Sequence, residues 1–367
     1  MISELIDIKN FLNDKSYKKI FILSGNNSFA LSGAKKYLLQ ILKNKKVKFF
    51  YKYSSIPIFE EMIEIIKEIR NFKPDLIFAI GGGSVIDYAK ISNLVEPREN
   101  LKKMIKTYSY PFKKKFTKLA VIPTTAGSGA EVTSNAVIYL DGIKYSFESD
   151  MLIPDNFFLI PEFVINAPNK IKASAGFDVV AQALESLVSK KSNDKSVSYA
   201  NKSLKISIKS YISYLEKPDL KNAAEMLIAS NLAGKAISIS KTIVPHATSY
   251  PFAYIFNLSH GHAVSLFFEN FFKYNFDNLN KSETNFDIRK RYDLIFKLFK
   301  TKNISELNKK ISLIKKKAKL EDDLFKLKIN VKKNSESIIK GINLLRLTNN
   351  PVKINKKDIL DIINKKI

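Results

Sequence analysis

The sequence predicts an α/β domain built on a parallel sheet, residues 1–165, followed by an all-helical domain, residues 166–367. Three observations carry this. Apolar strand-like runs alternate with amphipathic helical stretches through the first part of the chain. A glycine run and a Thr/Ser/Gly run each follow such a strand directly. Strand-like runs then stop near Pro161, and helical periodicity takes over.

The elements follow in order. Lys19 to Ser24 reads as a buried strand and the stretch near Ser32 to Lys43 as a helix. Val47 to Tyr53 is a second strand, and Glu60 to Phe72 a helix. Asp75 to Ile80 is a third strand running into Gly81-Gly82-Gly83-Ser84, and Val85 to Leu94 reads as the next helix. Lys118 to Ile122 is another strand, ending at Pro123-Thr124-Thr125. This rhythm implies parallel strands covered on both faces. Pro161 to Pro168 reads as a hinge. From Ser174 onward the spacing is helical, as in Phe177, Val180, Ala181 and Leu184. Lys309 to Ile367 is a lysine-rich amphipathic region whose charge runs read as solvated faces.

Composition narrows the function classes. With 367 residues, 45% of them hydrophobic, the chain can bury a sizeable core. No apolar run reaches bilayer length and the first residues hold no signal-peptide core, so no membrane partner and a cytoplasmic location are expected. Cysteine is absent, which rules out disulfides and thiolate metal sites. The net charge of +26 raises the question of nucleic acid. It comes almost entirely from scattered lysine; arginine occurs only at positions 70, 98, 289, 291 and 346. Arginine is the residue that forks onto phosphates and base edges, so a solvated basic surface is expected rather than a nucleic-acid interface. Such a field would attract a small anionic substrate.

Gly81, Gly82, Gly83 and Ser84 lie between a strand and a helix. Glycine lets a backbone approach a pyrophosphate closely, and a helix start offers unpaired N–H groups and a positive dipole end. Asp87 and Lys90 follow on the same helix. An ordinary tight turn would look alike, but three consecutive glycines in a chain holding 12 favour phosphate. The spacing is not GxGxxG, so it does not by itself establish a dinucleotide. The second turn, Thr124-Thr125-Ala126-Gly127-Ser128-Gly129, also follows a strand. Two such turns can hold one cofactor between them, or the second can merely satisfy its own backbone.

The three histidines, His246, His260 and His262, fall within 17 residues. Histidine is a common metal ligand and acid-base group. His246 and His260 are expected on consecutive helices, where they can converge. Asp178 and Gln182 lie four apart on one helix face amid apolar residues. A buried carboxylate needs a partner, so a metal fits; a helix-start carboxylate favoured by the dipole fits too.

Together the segments GGGSVIDYAK, IPTTAGSGAEVT, AGFDVVAQALES and HATSYPFAYIFNLSHGHA resemble the iron-containing (group III) alcohol dehydrogenase superfamily, over roughly residues 20–275. The resemblance implies a dehydroquinate synthase-like fold: a dinucleotide-binding domain and a helical domain, with the active site in the cleft between them and a homodimer as the expected assembly. It implies NADH or NADPH as cofactor and a divalent metal, iron or zinc. Gly82, Gly83 and Ser84 would hold the pyrophosphate; Thr124, Thr125 and Ser128 would line the adenosine and ribose side; Lys144 would reach the cofactor. Asp178, His246 and His260 match metal ligands. A histidine usual at position 182 is Gln182 here, and one usual at position 250 is Tyr250.

With QALES in place of HALES, the chain resembles the phosphonoacetaldehyde reductase branch, which makes 2-hydroxyethylphosphonate. Lys235 and Lys241 are the expected anion anchors. The expected chemistry is hydride transfer to a metal-polarised carbonyl, with His262 and Tyr250 as proton relays. The first strand ends Ser24-Gly25-Asn26 without an acid to repel a 2′-phosphate, so NADPH is expected to be accepted. A broader alcohol or diol dehydrogenase and, less in keeping with Asp178, a dehydroquinate synthase-like lyase are the alternatives.

Overall fold

The computed structural model describes residues 2–14, 17–110, 112 and 114–365. The chain divides into two compact units: residues 1–168 with 218–231, and residues 169–217 with 232–367.

In the first unit, α1 (Leu5–Asp14) leads into β1 (Lys19–Gly25), α2 (Asn26–Leu31), α3 (Ala34–Ile41) and β2 (Lys46–Lys52). Then come α4 (Phe59–Phe72), β3 (Leu76–Gly81), α5 (Gly83–Leu94), α6 (Leu101–Lys106) and β4 (Lys118–Pro123). The unit continues with β5 (Asn135–Leu140), β6 (Ile143–Glu148), β7 (Asn156–Phe157) and α7 (Glu162–Ile165).

Five strands form one parallel sheet in the order β2-β1-β3-β4-β7. Side chains alternate across a strand, and the sequence supplies apolar residues for both faces. Phe21, Leu23, Ile77, Ala79, Leu119 and Val121 share a core with α4 and α5. Ile20, Ile22, Leu76, Phe78, Ile80, Ala120 and Ile122 share the other with α1 and α3. Each large side chain so buried contributes about 1.5–3 kcal/mol. Helix α4 shows the local logic: Met62, Ile65, Ile66 and Ile69 form its buried stripe, Glu60 and Glu61 occupy the first turn, and Lys73 ends it with φ of 49°.

The chain leaves β1 for β2 on one side and returns to β3 on the other. In an open parallel sheet, that switch point opens a crevice at the carboxyl ends of the strands. Those ends are level: Ser24 pairs with Ile80, and Gly81 with Pro123.

Sequence periodicity offered no strand between Thr133 and Pro161. The structure places the antiparallel hairpin β5–β6 there. Asp141 and Gly142 make its turn with φ of 51° and 76°, the Asp-Gly signature of a type I′ hairpin.

The described elements of the second unit are helical: α8 (Asn169–Val188), α9 (Asp194–Glu216), the later part of α10 (Leu220–Ser240), α11 (Val244–Ile255), α12 (His260–Ser265) and α13 (Phe268–Asp277). The remainder is α14 (Ile288–Phe299), α15 (Ile304–Lys317), α16 (Val331–Gly341), α17 (Leu344–Leu347) and α18 (Lys356–Asn364). From Phe177 to Val188 every residue of α8 is buried, as befits a helix enclosed by others. Gly176 allows this on one side, since a Cβ there would stand 2.1 Å from the Tyr211 ring. Helix α11 carries Pro251 in its interior. Proline removes the N–H that would bind the carbonyl four residues back. That carbonyl, Ala247 O, accepts from Asn343 N instead at 3.3 Å. Among the described residues, no helix is long and apolar enough to cross a membrane.

Candidate metal centre and cofactor turns

In the first unit the two polar turns meet. Gly81 closes β3, Gly82 caps α5 and Gly83 begins it. None of the three has positive φ, so their lack of a side chain matters for space rather than for backbone conformation. A Cβ on Gly82 would lie 3.3 Å from Thr125 Oγ1, and one on Gly83 2.7 Å from Ser128 Oγ. A Cβ on Gly81 would lie 2.5 Å from Val85. Thr124 N donates to Gly81 O at 3.0 Å, tying the second turn to the first. The Thr124 hydroxyl is buried with no hydrogen-bond partner, a cost of about 1–3 kcal/mol that a ligand would relieve. With Ser84 in the first turn of a 12-residue helix, this cradle fits a pyrophosphate.

Charged groups flank it. Lys90 is buried and donates to Thr133 O, Thr133 Oγ1 and Asn135 O at 2.8–3.0 Å, so it pins the chain between the second turn and β5. Burial lowers its pKa to about 8, with Asp87 and Glu131 opposing. Burial of the Asp87 carboxyl raises its pKa to about 6; Lys90 and Lys144 pull the other way. Lys144 sits on β6 with Nζ 6.0 Å from the centre of the Tyr139 ring.

In the second unit, α8, α11 and α12 bring Asp178, His246 and His260 together, with ligand atoms all within 4.8 Å of one another. His246 Nε2 lies 3.1 Å and His260 Nε2 3.9 Å from Asp178 Oδ1. Donors about 2.1 Å from one tetrahedral ion are spaced by roughly 3.4 Å, so these atoms fit around a single ion. Gln182 Nε2 donates to Asp178 Oδ2 at 2.9 Å, and Gln182 Oε1 is buried without a partner. Turned over, this amide would offer the ion an oxygen. The donor set, carboxylate and imidazole with amide beside them, suits iron or zinc.

Helix α12 reaches α8 because residue 261 is glycine: a Cβ there would stand 2.0 Å from Ser174 O. His262 N donates to Ser174 Oγ at 3.1 Å, fixing the approach. His246 and His260 meet edge to face, 5.3 Å between ring centres.

Glu185 is the residue that sequence reasoning missed. It is fully buried; its Oε1 lies 2.5 Å from His246 Nδ1 and its Oε2 accepts from Ile243 N at 2.6 Å. With Nδ1–H donating to this carboxylate, Nε2 is the nitrogen that faces the ligand cluster. Burial alone would lower the His246 pKa, but Glu185 and Asp178 raise it to about 9. A metal must therefore displace a proton there. The signal was present: Asp178, Gln182 and Glu185 form a polar stripe at i, i+4, i+7 on the buried part of α8.

The other candidates fall around this centre. The Tyr250 ring stacks on His260 with centres 6.0 Å apart, and its hydroxyl is hydrogen-bonded to Arg346. His262 is buried; its Nε2 lies 2.6 Å from Glu321 O and donates to it, and burial lowers its pKa. Lys235 holds its ammonium 6.0 Å from the Tyr199 ring on α9. Lys241 follows the end of α10 with φ of 59°.

Comparisons with known proteins cover nearly the whole chain. Residues 3–161 match the family model described as iron-containing alcohol dehydrogenase. Residues 172–367 match the model of the Fe-containing alcohol dehydrogenase family, C-terminal. The 4-hydroxybutyrate dehydrogenase of Clostridium kluyveri is 28% identical over 98% of this chain and 97% of its own length. A Red Sea brine-pool archaeal alcohol dehydrogenase superposes with a TM-score of 0.90 at 20% identity, covering 100% of this chain and 96% of that one. Sulfoacetaldehyde reductase from Bifidobacterium kashiwanohense, solved with NAD+, gives 0.85 at 23% identity, covering 100% and 95%. The chain belongs to the iron-containing alcohol dehydrogenase family, oxidoreductases that work with a nicotinamide cofactor and a divalent metal.

Proposed function

We propose that the protein reduces a small aldehyde bearing an acidic group to its primary alcohol, with phosphonoacetaldehyde to 2-hydroxyethylphosphonate as the favoured pair. The observation that carries the reaction type is the convergence of Asp178, His246 and His260, with Glu185 orienting His246. The acidic class is supported by two relatives, one named for 4-hydroxybutyrate and one for sulfoacetaldehyde.

Bound there, a divalent ion supplies Lewis-acid polarisation of the aldehyde oxygen. The residues do the rest. Asp178, His246 and His260 would hold the ion, with Gln182 at hand as a further oxygen donor. Gly81, Gly82, Gly83, Ser84, Thr124, Thr125 and Ser128 would cradle the cofactor phosphates and ribose, with Asp87 and Lys144 at the edge. Tyr250 and His262 are the candidate relays for the proton that the alkoxide takes up. Lys235 and Lys241 are the candidate anchors for the acidic group.

At the end of β1, Ser24 turns its hydroxyl back onto Ile80 O at 2.7 Å, and Gly25 and Asn26 follow. No carboxylate in that run opposes a 2′-phosphate, so both NADH and NADPH should serve. A strong NADH preference would refute this part.

The test is NAD(P)H oxidation by metal-reconstituted protein with phosphonoacetaldehyde and succinate semialdehyde against propanal and glyceraldehyde. A preference for the acidic aldehydes is expected, and phosphonoacetaldehyde should lead. Equal or faster turnover of the neutral aldehydes would remove the substrate class and favour a broader alcohol or diol dehydrogenase.

A further inference from the structure

We propose that Ser189 is a positioning residue for the metal centre: its hydroxyl fixes the link between α10 and α11 and so sets where His246 stands. This rests on reading Asp178, His246 and His260 as ligands of one ion, and it extends that site by a residue that touches none of them.

Ser189 continues the polar stripe of α8. Asp178, Gln182, Glu185 and Ser189 follow at i, i+4, i+7 and i+11 and share one helix face. Ser189 N donates to Glu185 O at 2.9 Å, which carries the helical hydrogen bonding one residue past Val188. Asp178 and Gln182 lie at the ligand cluster, whereas Glu185 and Ser189 grip the link. Ser189 Oγ donates to Ser240 O at 2.6 Å, and Glu185 Oε2 accepts from Ile243 N at 2.6 Å. Ser240 ends α10 and Ile243 caps α11, so the link is fastened to α8 at both ends. Ser189, Ser240 and Glu185 are fully buried, where these bonds have no water to replace them. Two further contacts complete the hold. Ser240 Oγ lies 2.8 Å from Ser186 Oγ, and Asn349 Nδ2 donates to Thr242 O at 3.4 Å.

The link is strained. Lys241 has φ of 59°, a left-handed conformation that residues with a Cβ seldom adopt. Such a conformation persists where its surroundings over-determine it, and Ser189 and Glu185 do so from either side. Without the Ser189 hydroxyl, Ser240 O loses its donor from α8 and Lys241 is free to relax.

His246 would register that change. It stands three residues after Ile243, in the first turn of α11, with Pro245 restricting the backbone just before it. Its Nδ1 lies 2.5 Å from Glu185 Oε1, while Oε2 of the same carboxylate holds Ile243. One carboxylate thus ties the ligand to the near end of the link, and Ser189 fixes the far end. Metal ligands tolerate errors of about 0.2 Å, so a small shift of the link is enough to weaken the ion.

The experiment compares full-length wild type with Ser189→Ala, Asn349→Ala and Ser196→Ala. The last is the control: it breaks the capping box of α9, where Asn193 N donates to Ser196 Oγ at 3.0 Å, and leaves the link alone. Three quantities are read: zinc affinity by chelator competition, the visible spectrum of the cobalt-loaded protein, and thermal unfolding of the metal-free protein. Cobalt reports ligand geometry, which a merely structural role for Ser189 would not move. Ser189→Ala should bind zinc about tenfold more weakly, with an altered cobalt spectrum. Ser196→Ala should lose melting temperature while keeping zinc affinity within twofold of wild type and the cobalt spectrum unchanged. If Ser189→Ala does not fold, Asn349→Ala decides, since it frees the same link at Thr242; a threefold loss of zinc affinity is expected there. Zinc affinity within twofold of wild type and an unchanged cobalt spectrum in the deciding variant overturn the proposal, as does an equal loss in Ser196→Ala. A wild type that binds neither zinc nor cobalt overturns the metal reading itself, and the role of Ser189 with it.

Discussion

Replacing Gly261 by alanine tests whether the metal cluster depends on the closeness of α12 to α8. The new Cβ would stand 2.0 Å from Ser174 O and 3.0 Å from Asp178 Cβ. A carbon settles about 3.3 Å from a carbonyl oxygen, so the helices must part by roughly 1.3 Å at that point. The obstacle is the backbone of α8, so no side-chain rotation relieves it. His260 precedes the substituted residue and would move with it. Metal ligands tolerate errors of about 0.2 Å. One of three protein ligands should therefore be lost, weakening the ion by about two orders of magnitude. The hydrogen bond from His262 N to Ser174 Oγ would stretch as well. Overpacking of this kind costs about 1–3 kcal/mol of stability in the metal-free protein. Chelator competition with zinc gives the affinity, and thermal unfolding of the metal-free protein gives the stability. A Gly261→Ala protein that binds zinc within threefold of wild type would refute the reasoning.

Three further outcomes are expected. Glu185→Gln should lower metal affinity 10- to 100-fold by releasing His246 from its carboxylate partner; an unchanged affinity by the same competition assay would show that Glu185 serves Ile243 alone. Gln182→His should tighten zinc at least tenfold, because imidazole is the better donor, and a weaker zinc complex would mean that the amide is needed where it is. The third concerns Asp87, whose folded pKa of about 6 lies above its unfolded value near 3.9. A raised folded pKa means that the stabilisation is full below the unfolded value and lost as pH rises through about 6. Asp87→Asn should therefore gain in melting temperature over wild type between pH 5 and pH 7.5, and a pH-independent difference would contradict the burial argument.

What the sequence disclosed follows from range. The strands β1, β3 and β4 are apolar runs bounded by turns, and the glycines after β3 are adjacent, so local pattern suffices. His246 and His260 are the chain's scarce residue type and lie 14 apart, which draws the eye to their convergence. Glu185 was legible in principle as part of the α8 stripe, but what it holds, His246 and Ile243, is some 60 residues away. The β5–β6 hairpin carries its Asp-Gly signature openly. The link between Tyr250 and Arg346 joins segments almost a hundred residues apart, which no local pattern shows.

The contacts that shape the metal cluster are all between protein groups: Glu185 to His246, Ser174 to His262, and the glycine that seats α12 on α8. An ion arriving there finds its ligands already aimed and has no folding work to do. Removing the ion should accordingly leave the fold standing, unlike the unfolding that chelators cause in small zinc domains. A seat that any borderline divalent ion can enter without cost to the fold leaves the choice of ion to cellular supply. The same polypeptide would then pass between active and inactive populations as that supply rises and falls.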